Sequence, residues 1–270
     1  MDAWLPGPVL VAGPCVLEHD ALNRRIAEAL AGLALRLGIA VVYKGSFDKA
    51  NRARPGAPRG PGLDEGLRLL EAVRRDSGLP VLTDVHEVDQ VTTVASVVDA
   101  VQIPALLCRQ TDLLEAAGRT GRPVNIKKGP WMAPEAMAGA VDKVRGAGSA
   151  AIAVTERGTF FGYGDLVVDM RSFTRIHAAT GVATLFDATH AVQRPGTGPG
   201  GHAGGDREYV PMLLCAAAAA GADGFFVETH PDPVSAPSDG ATMWPLDDLE
   251  TLIDRALDIR TRARGTVQRA

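Results

Sequence analysis

Short apolar runs recur along the chain. Each is followed by a longer segment in which apolar residues return every three or four positions. The runs lie at residues 9–12, 39–42, 80–83, 100–104, 123–126, 151–154, 183–186 and 224–227. Runs this short, without internal alternation, read as strands covered on both faces. The intervening segments read as helices over 20–37, 63–75, 88–98, from 111 onward, and over 134–145, 172–179, 209–220 and 246–262. In the first of these, Leu22, Ile26, Leu30, Leu33 and Leu37 keep helical spacing. Thr111 or Asp112 is suited to cap the fourth helix, and Pro134 to open the fifth. A longer insertion, 159–171, precedes the sixth helix. A repeated strand–helix unit implies a parallel sheet. Eight units in this length fit an α/β chain folded as one closed (β/α)8 barrel domain over residues 1–270, with no linker. An open doubly wound sheet is the structural alternative.

Composition narrows the function classes. The formal charge is −4 over 270 residues, so the chain has no overall pull towards nucleic acid or an anionic membrane, and any anion site must be local. The longest apolar stretch, 212–222, is too short to span a bilayer. Residues 1–6 lack the basic flank and apolar core of a signal peptide. Three scattered cysteines make no disulfide framework and fit a reducing, cytoplasmic setting.

In a barrel the chemistry sits where the strands end. Those ends carry Cys15, Lys44, Asp84 with His86, Gln102, Lys127 with Lys128, Arg157, His190, and Glu228 with His230. The stretch after the second strand adds Lys49, Asn51 and Arg52, and Arg109 follows the fourth. These cations suit a multiply charged phosphorylated substrate. Barrel closure would make the first, seventh and eighth strands neighbours. That brings Cys15, His190 and Glu228 together, with Asp239 on the following loop. Thiolate, imidazole and carboxylates suit a divalent transition metal such as zinc, iron or manganese. The same residues leave other readings open: Cys15 as a small core residue, His190 as a general acid, His230 as a competing ligand. Cys108 and Cys215 read as structural. The glycine-rich run 196–201 contains proline and follows the seventh strand, so it reads as a lid and not as a dinucleotide loop.

Seven segments occur in order: Gly13-Pro14-Cys15, Lys49-Ala50-Asn51-Arg52, Arg59-Gly60-Pro61-Gly62, Thr83-Asp84-Val85-His86, Cys108-Arg109-Gln110-Thr111-Asp112, Asp187-Ala188-Thr189-His190 and Glu228-Thr229-His230-Pro231. Together they closely resemble the 3-deoxy-D-manno-octulosonate 8-phosphate synthases. The resemblance implies a (β/α)8 barrel, usually tetrameric, that condenses phosphoenolpyruvate with arabinose 5-phosphate and releases phosphate. It implies that Lys44, Lys127 and Arg157 bind phosphoenolpyruvate with Gln102 nearby, and that Lys49 stands between the two substrates. Asn51, Arg52 and Asp84 would contact the sugar phosphate, and Arg109 would reach that of a neighbouring subunit. Lys49, Asp84, Lys127 and His190 would be catalytic. Cysteine at position 15 implies the metal-dependent branch, with Cys15, His190, Glu228 and Asp239 as ligands. Two positions depart from the pattern: Ala53 replaces a usual serine, and Gly45 a small side chain. The acceptor aldose is therefore less fixed than the reaction type. Rival readings are the related synthase that uses erythrose 4-phosphate, a metal-dependent keto-acid lyase and a non-catalytic sugar-phosphate sensor.

Overall fold

The computed structural model describes residues 7–52, 55–161, 164–198 and 203–267. Parallel strands form its centre: β1 (Val9–Gly13), β2 (Ala40–Lys44), β3 (Val81–Asp84), β4 (Ala100–Ile103), β5 (Val124–Lys127), β6 (Ile152–Glu156), β7 (Ala183–Asp187) and β8 (Gly224–His230). Each pairs with the next, and β1 also pairs with β8 in the register Val9↔Gly224 through Gly13↔Glu228. That pairing closes the barrel and removes the open-sheet alternative. Helices α1 (Asp20–Leu37), α2 (Leu63–Ser77), α3 (Val88–Val97), α4 (Thr111–Arg119), α5 (Met137–Ala147), α6 (Ser172–Thr180), α7 (Val210–Ala219) and α8 (Leu249–Val267) surround it.

Alternation along the strands divides the core in two. Leu10, Val41, Val81, Val101, Val124, Ile126, Val154 and Phe225 face the helices in the larger apolar layer. Val9, Val11, Val42, Leu82, Ala100, Ala153, Leu185 and Phe226 fill the barrel interior. Successive side chains point to opposite faces, so the residue two positions beyond an interior one is also interior. In β2 that step runs from Val42 to Lys44, in β3 from Leu82 to Asp84, in β7 from Leu185 to Asp187 and in β8 from Phe226 to Glu228. The apolar interior thus ends in a buried polar layer at the C-terminal mouth.

Local differences from the sequence reading have local causes. Thr111 is itself the first residue of α4, Gln110 takes the cap position without a side-chain bond, and Thr111 Oγ1 accepts from Lys143 Nζ at 2.8 Å. Neither expected residue caps that helix. Pro134 opens a 3-10 turn, Pro134–Ala136, and the α-helix starts after it. β8 runs on to His230 because its polar end is also buried. The insertion carries a short antiparallel pair, Thr159–Phe160 with Leu166–Val167. The loop after β7 carries another, Gln193–Arg194 with Gly204–Gly205. Ala53, residues 199–201 of the glycine-rich run and the N-terminal residues 1–6 lie outside the described residues. Among the described residues, no helix is long and apolar enough to cross a membrane.

Candidate active site

The site is assembled from the interior ends of the strands. β1 can approach β2 closely only because residue 13 is glycine: a Cβ there would lie 2.1 Å from the carbonyl oxygen of Lys44, at a φ of 153°. Beyond that contact Lys44 turns inward. Its Nζ lies 2.9 Å from Glu228 Oε1, 3.1 Å from the Cys15 carbonyl oxygen and 3.7 Å from Asp84 Oδ2. Burial works against the charge on Lys44, but Glu228 and Asp84 outweigh it and raise its pKa. Asp84 accepts hydrogen bonds from Ser46 Oγ and Gln102 Nε2. Lys49 Nζ donates to Ser46 Oγ at 2.9 Å, so the serine joins the loop lysine to the buried carboxylate. Gln102 Oε1 accepts from Asn125 Nδ2 at 2.8 Å, and Asn125 Oδ1 accepts from Thr155 Oγ1 at 2.7 Å. Ser46, Asp84, Gln102, Asn125 and Thr155 are all buried, and each is hydrogen-bonded to the next.

A second group forms across the mouth. Lys127 Nζ donates to Asp187 Oδ2 and stands 2.9 Å from the centre of the Phe226 ring. Lys44 Nζ lies 5.7 Å from the same ring centre. Burial lowers the Lys127 pKa to about 8, with Asp187 opposing the shift. The same Asp187 oxygen lies 2.8 Å from His190 Nδ1, and Asp187 Oδ1 accepts from the His190 backbone N–H at 2.9 Å. Burial would lift the Asp187 pKa, but His190 and Lys127 hold it well below the usual carboxylate range.

The expected metal ligands do come together. Ligand atoms of Cys15, Glu228 and Asp239 all lie within 4.8 Å of one another. His190 stands beside this group, with Nε2 3.7 Å from Asp239 Oδ2 and 3.9 Å from Glu228 Oε2. Cys15 Sγ donates to Asp239 Oδ2 at 3.0 Å. Burial pushes the Cys15 thiol well up, and the Asp239 and Glu228 carboxylates push it further. Burial opposes protonation of His190, but Asp187 and Glu228 raise its pKa. Asp239 holds a left-handed backbone with φ 53°, a conformation that aspartate tolerates better than most side chains. Glu228 Oε2 is buried without a hydrogen-bond partner. An unpaired carboxylate oxygen beside a thiol, an imidazole and a second carboxylate fits a divalent cation.

Other expected residues separate. Arg157 is half-buried, and its Nη2 donates to Gln193 Oε1 at 2.9 Å. Arg52 donates to the Pro58 carbonyl at 2.8 Å and to Ser238 Oγ at 2.9 Å, next to Asp239 in the chain. Asn51 and Arg109 are exposed and are not drawn into the buried group. Lys128 is adjacent to Lys127 but faces the other way. Its ammonium reaches the carbonyls of Gly129 at 3.3 Å and Met132 at 3.2 Å, and lies 3.5 Å from Glu156. His230 Nε2 lies 3.2 Å from Glu18 Oε1, away from the donor group, so it is no competing ligand here. Cys108 is fully buried, as a structural cysteine should be. At Gly45, the space a Cβ would need is filled by Leu17, whose Cδ2 lies 2.6 Å from that position.

Ser46, Asp187, Gln193, Phe226 and Ser238 take part in the site although the sequence reading assigned them no role. Strand parity is the signal that would have found Asp187 and Phe226, because both lie on the interior face with Leu185. Ser46, Gln193 and Ser238 lie on loops, where no period operates.

The chain matches the DAHP synthetase I family over residues 7–262. It is 52% identical over 253 residues to the 2-dehydro-3-deoxyphosphooctonate aldolase of Acidithiobacillus ferrooxidans, covering 93% of this chain and 89% of that protein. It is 53% identical over 260 residues to the protein of the same name from Rhodopseudomonas palustris, covering 96% and 90%. The one from Syntrophotalea carbinolica is 51% identical over 259 residues, covering 96% and 93%.

Proposed function

The chain belongs to the DAHP synthetase I family, and on that premise we propose that it condenses phosphoenolpyruvate with arabinose 5-phosphate, giving 3-deoxy-D-manno-octulosonate 8-phosphate and phosphate. Relatives about half identical over nearly the whole chain carry the name of the enzyme that forms this sugar phosphate. The observation that carries the reading is the pair Lys44 and Lys127, both buried beside the Phe226 ring at the barrel mouth. With Arg157 and Lys49 at the rim, they suit a small substrate that carries both a carboxylate and a phosphate.

The chemistry needs two anions held together against their repulsion. The methylene carbon of phosphoenolpyruvate attacks the aldehyde carbon with the enol π electrons. The aldehyde oxygen gains a proton. Positive character develops at the enol carbon, where water adds and loses a proton. The carbon–oxygen bond to phosphate then breaks, its electrons leave with the phosphate, the added hydroxyl gives up its remaining proton to solvent, and a carbonyl forms.

Lys44, Lys127 and Arg157 bind the phosphoenolpyruvate anions, and Gln102 fixes the Asp84 carboxylate beneath them. Lys49, tethered by Ser46 to Asp84, stands between the substrates. Asn51 and Arg52 meet the sugar phosphate, with Arg52 braced by Ser238. His190 is held through Nδ1 by Asp187, which leaves Nε2 facing the Asp239 and Glu228 carboxylates. Fixing both reactants in this way replaces a bimolecular encounter with a unimolecular one. Cys15, His190, Glu228 and Asp239 would hold a divalent transition metal, which when bound polarises an aldehyde oxygen or a water. Arg109, exposed at the rim, is assigned to a neighbouring subunit's sugar phosphate within a tetramer.

Alanine variants of Lys127 and Arg157 test the anion pocket. Each should lose about 2–4 kcal/mol of transition-state stabilisation, read as a fall in kcat/KM for phosphoenolpyruvate. Folded variants that keep wild-type specificity for phosphoenolpyruvate would remove the pocket from the account.

A further inference from the structure

At the rim, Gln193 links the two halves of the site. Gln193 Nε2 donates to Asp239 Oδ1 at 2.8 Å. Its Oε1 accepts from Arg157 Nη2 at 2.9 Å. The two partners fix the amide's orientation, since a carboxylate can only accept and a guanidinium can only donate. Gln193 itself is buried.

The frame around this amide is tightly packed. Gln193 pairs in register with Gly205 across the short antiparallel ladder of the β7 loop. A Cβ on Gly205 would lie 2.2 Å from Thr242 Cγ2 and 2.7 Å from the Val192 carbonyl oxygen, so the β7 loop rests directly on the β8 loop. Arg207 donates across the same seam to the Gly240 carbonyl. On the β8 side, the Asp239 carbonyl accepts the backbone N–H groups of Thr242 at 2.9 Å and Met243 at 3.0 Å. The amide therefore has little room to follow either partner without pulling on the other.

We propose that Gln193 is a positioning residue that couples the anion pocket, through Arg157, to the metal-binding group, through Asp239. The inference rests on the proposed reading of Arg157 as a phosphoenolpyruvate ligand and Asp239 as a metal ligand. Occupation of one side holds its partner side chain, and that holds the amide ready for the other. Each ligand then tightens binding of the other. Thermodynamic linkage requires the two enhancements to be equal.

The test needs no turnover. Cobalt(II) binding is followed by the thiolate-to-metal absorbance band of Cys15, with and without saturating phosphoenolpyruvate and with no aldose present. Phosphoenolpyruvate binding is followed by calorimetry with and without cobalt. In the wild type, each ligand should tighten the other by the same factor, roughly five-fold or more. Gln193→Met keeps the length of the side chain and removes both hydrogen bonds, so the factor should fall by several-fold while both ligands still bind. Gln193→Glu keeps an acceptor for Arg157 and sets a second carboxylate against Asp239. It should retain Arg157 too firmly, weaken phosphoenolpyruvate binding by an order of magnitude or so, and lose the coupling. Thermal unfolding of each variant separates these effects from loss of fold. Equal coupling in the wild type and Gln193→Met, or no coupling in the wild type although both ligands bind, overturns the inference and leaves the proposed reaction standing. A wild-type protein that binds no phosphoenolpyruvate overturns both.

Discussion

Lys44 Nζ and Glu228 Oε1 lie 2.9 Å apart inside the barrel mouth, and neither side chain is more than 2% exposed. The lysine ends β2 and the glutamate lies in β8, with β1 between them, so the pair spans the seam at which the barrel closes. Removing one partner leaves the other as an unpaired buried charge. Lys44→Met should destabilise the fold by about 3–5 kcal/mol at neutral pH, measured by chemical denaturation. The sign of its pH dependence follows from Glu228. Burial would raise that carboxyl, but Lys44 and His190 hold its pKa below the ordinary value. Its stabilisation is present above the unfolded pKa and is lost as pH falls through the lower folded value. The deficit of Lys44→Met should therefore shrink as the pH is lowered towards 4, because the variant can protonate Glu228. A deficit independent of pH would place the effect in packing.

Lys127 gives a second pH dependence. Burial brings its pKa to about 8. Its ammonium is fully present below that pH and is lost above it, whereas the unfolded chain keeps the proton to about 10.4. Between those values the unfolded state binds more protons, so the penalty for burying this lysine falls as pH rises. Substrate binding runs the other way. Phosphoenolpyruvate affinity should be constant below about pH 8 and weaken above it by up to tenfold per unit, and Lys127→Gln should flatten that limb. Bound anions stabilise the ammonium, so kcat/KM should fall at lower pH than kcat does. Calorimetric titrations from pH 7 to 9.5 read this directly.

The barrel was legible because a short apolar run followed by a helical segment repeats eight times, and the chemistry because polar residues stand where those runs end. The structure adds a period of two: Lys44, Asp84 and Glu228 each follow an apolar interior residue by two positions. Barrel closure brought Cys15, His190 and Glu228 together, with Asp239 on the loop 224 positions from Cys15, and the family resemblance then singled out these four as a ligand set. Adjacency in sequence misleads where parity is ignored. Lys127 and Lys128 are neighbours of identical type, yet one enters the site and the other staples the loops outside it. Gln193 and Ser238 had no signal, because a loop residue's partners depend on packing between loops that no local pattern encodes. Thr111 failed as a cap because it stands one position inside the helix and Lys143 takes its hydroxyl.

Gly45 tests that packing. Leu17 occupies the space a Cβ would fill, so Gly45→Ala should destabilise by about 1–3 kcal/mol through overpacking. Adding Leu17→Ala should relieve most of that cost, leaving a double-mutant cycle with a large favourable interaction term. Additive effects would show that the strain lies elsewhere.

The metal reading has its own test. Cys15 is protonated in its buried setting, so uptake of an ion must expel a proton and should strengthen as pH rises. Dialysis against a strong chelator should abolish turnover while leaving the fold intact, and a divalent transition metal should restore it. Cys15→Ser should lower both metal content and rate, since a hydroxyl is a poor ligand for a soft site. Full activity in metal-free protein, or a bound metal whose spectrum shows no sulfur ligand, would contradict the assignment.

The most direct test of the central claim is phosphate release from phosphoenolpyruvate, measured against a panel of aldose phosphates with identification of the sugar product. The account predicts that arabinose 5-phosphate has the highest specificity constant and yields an eight-carbon 3-deoxy-2-keto acid phosphate. It also predicts that Ala53→Ser, which restores a hydroxyl donor beside Arg52, lowers the Michaelis constant for that acceptor. A clearly higher specificity constant for erythrose 4-phosphate or another aldose phosphate would contradict the acceptor assignment. Phosphate release from phosphoenolpyruvate with none of the aldoses would contradict the reaction itself.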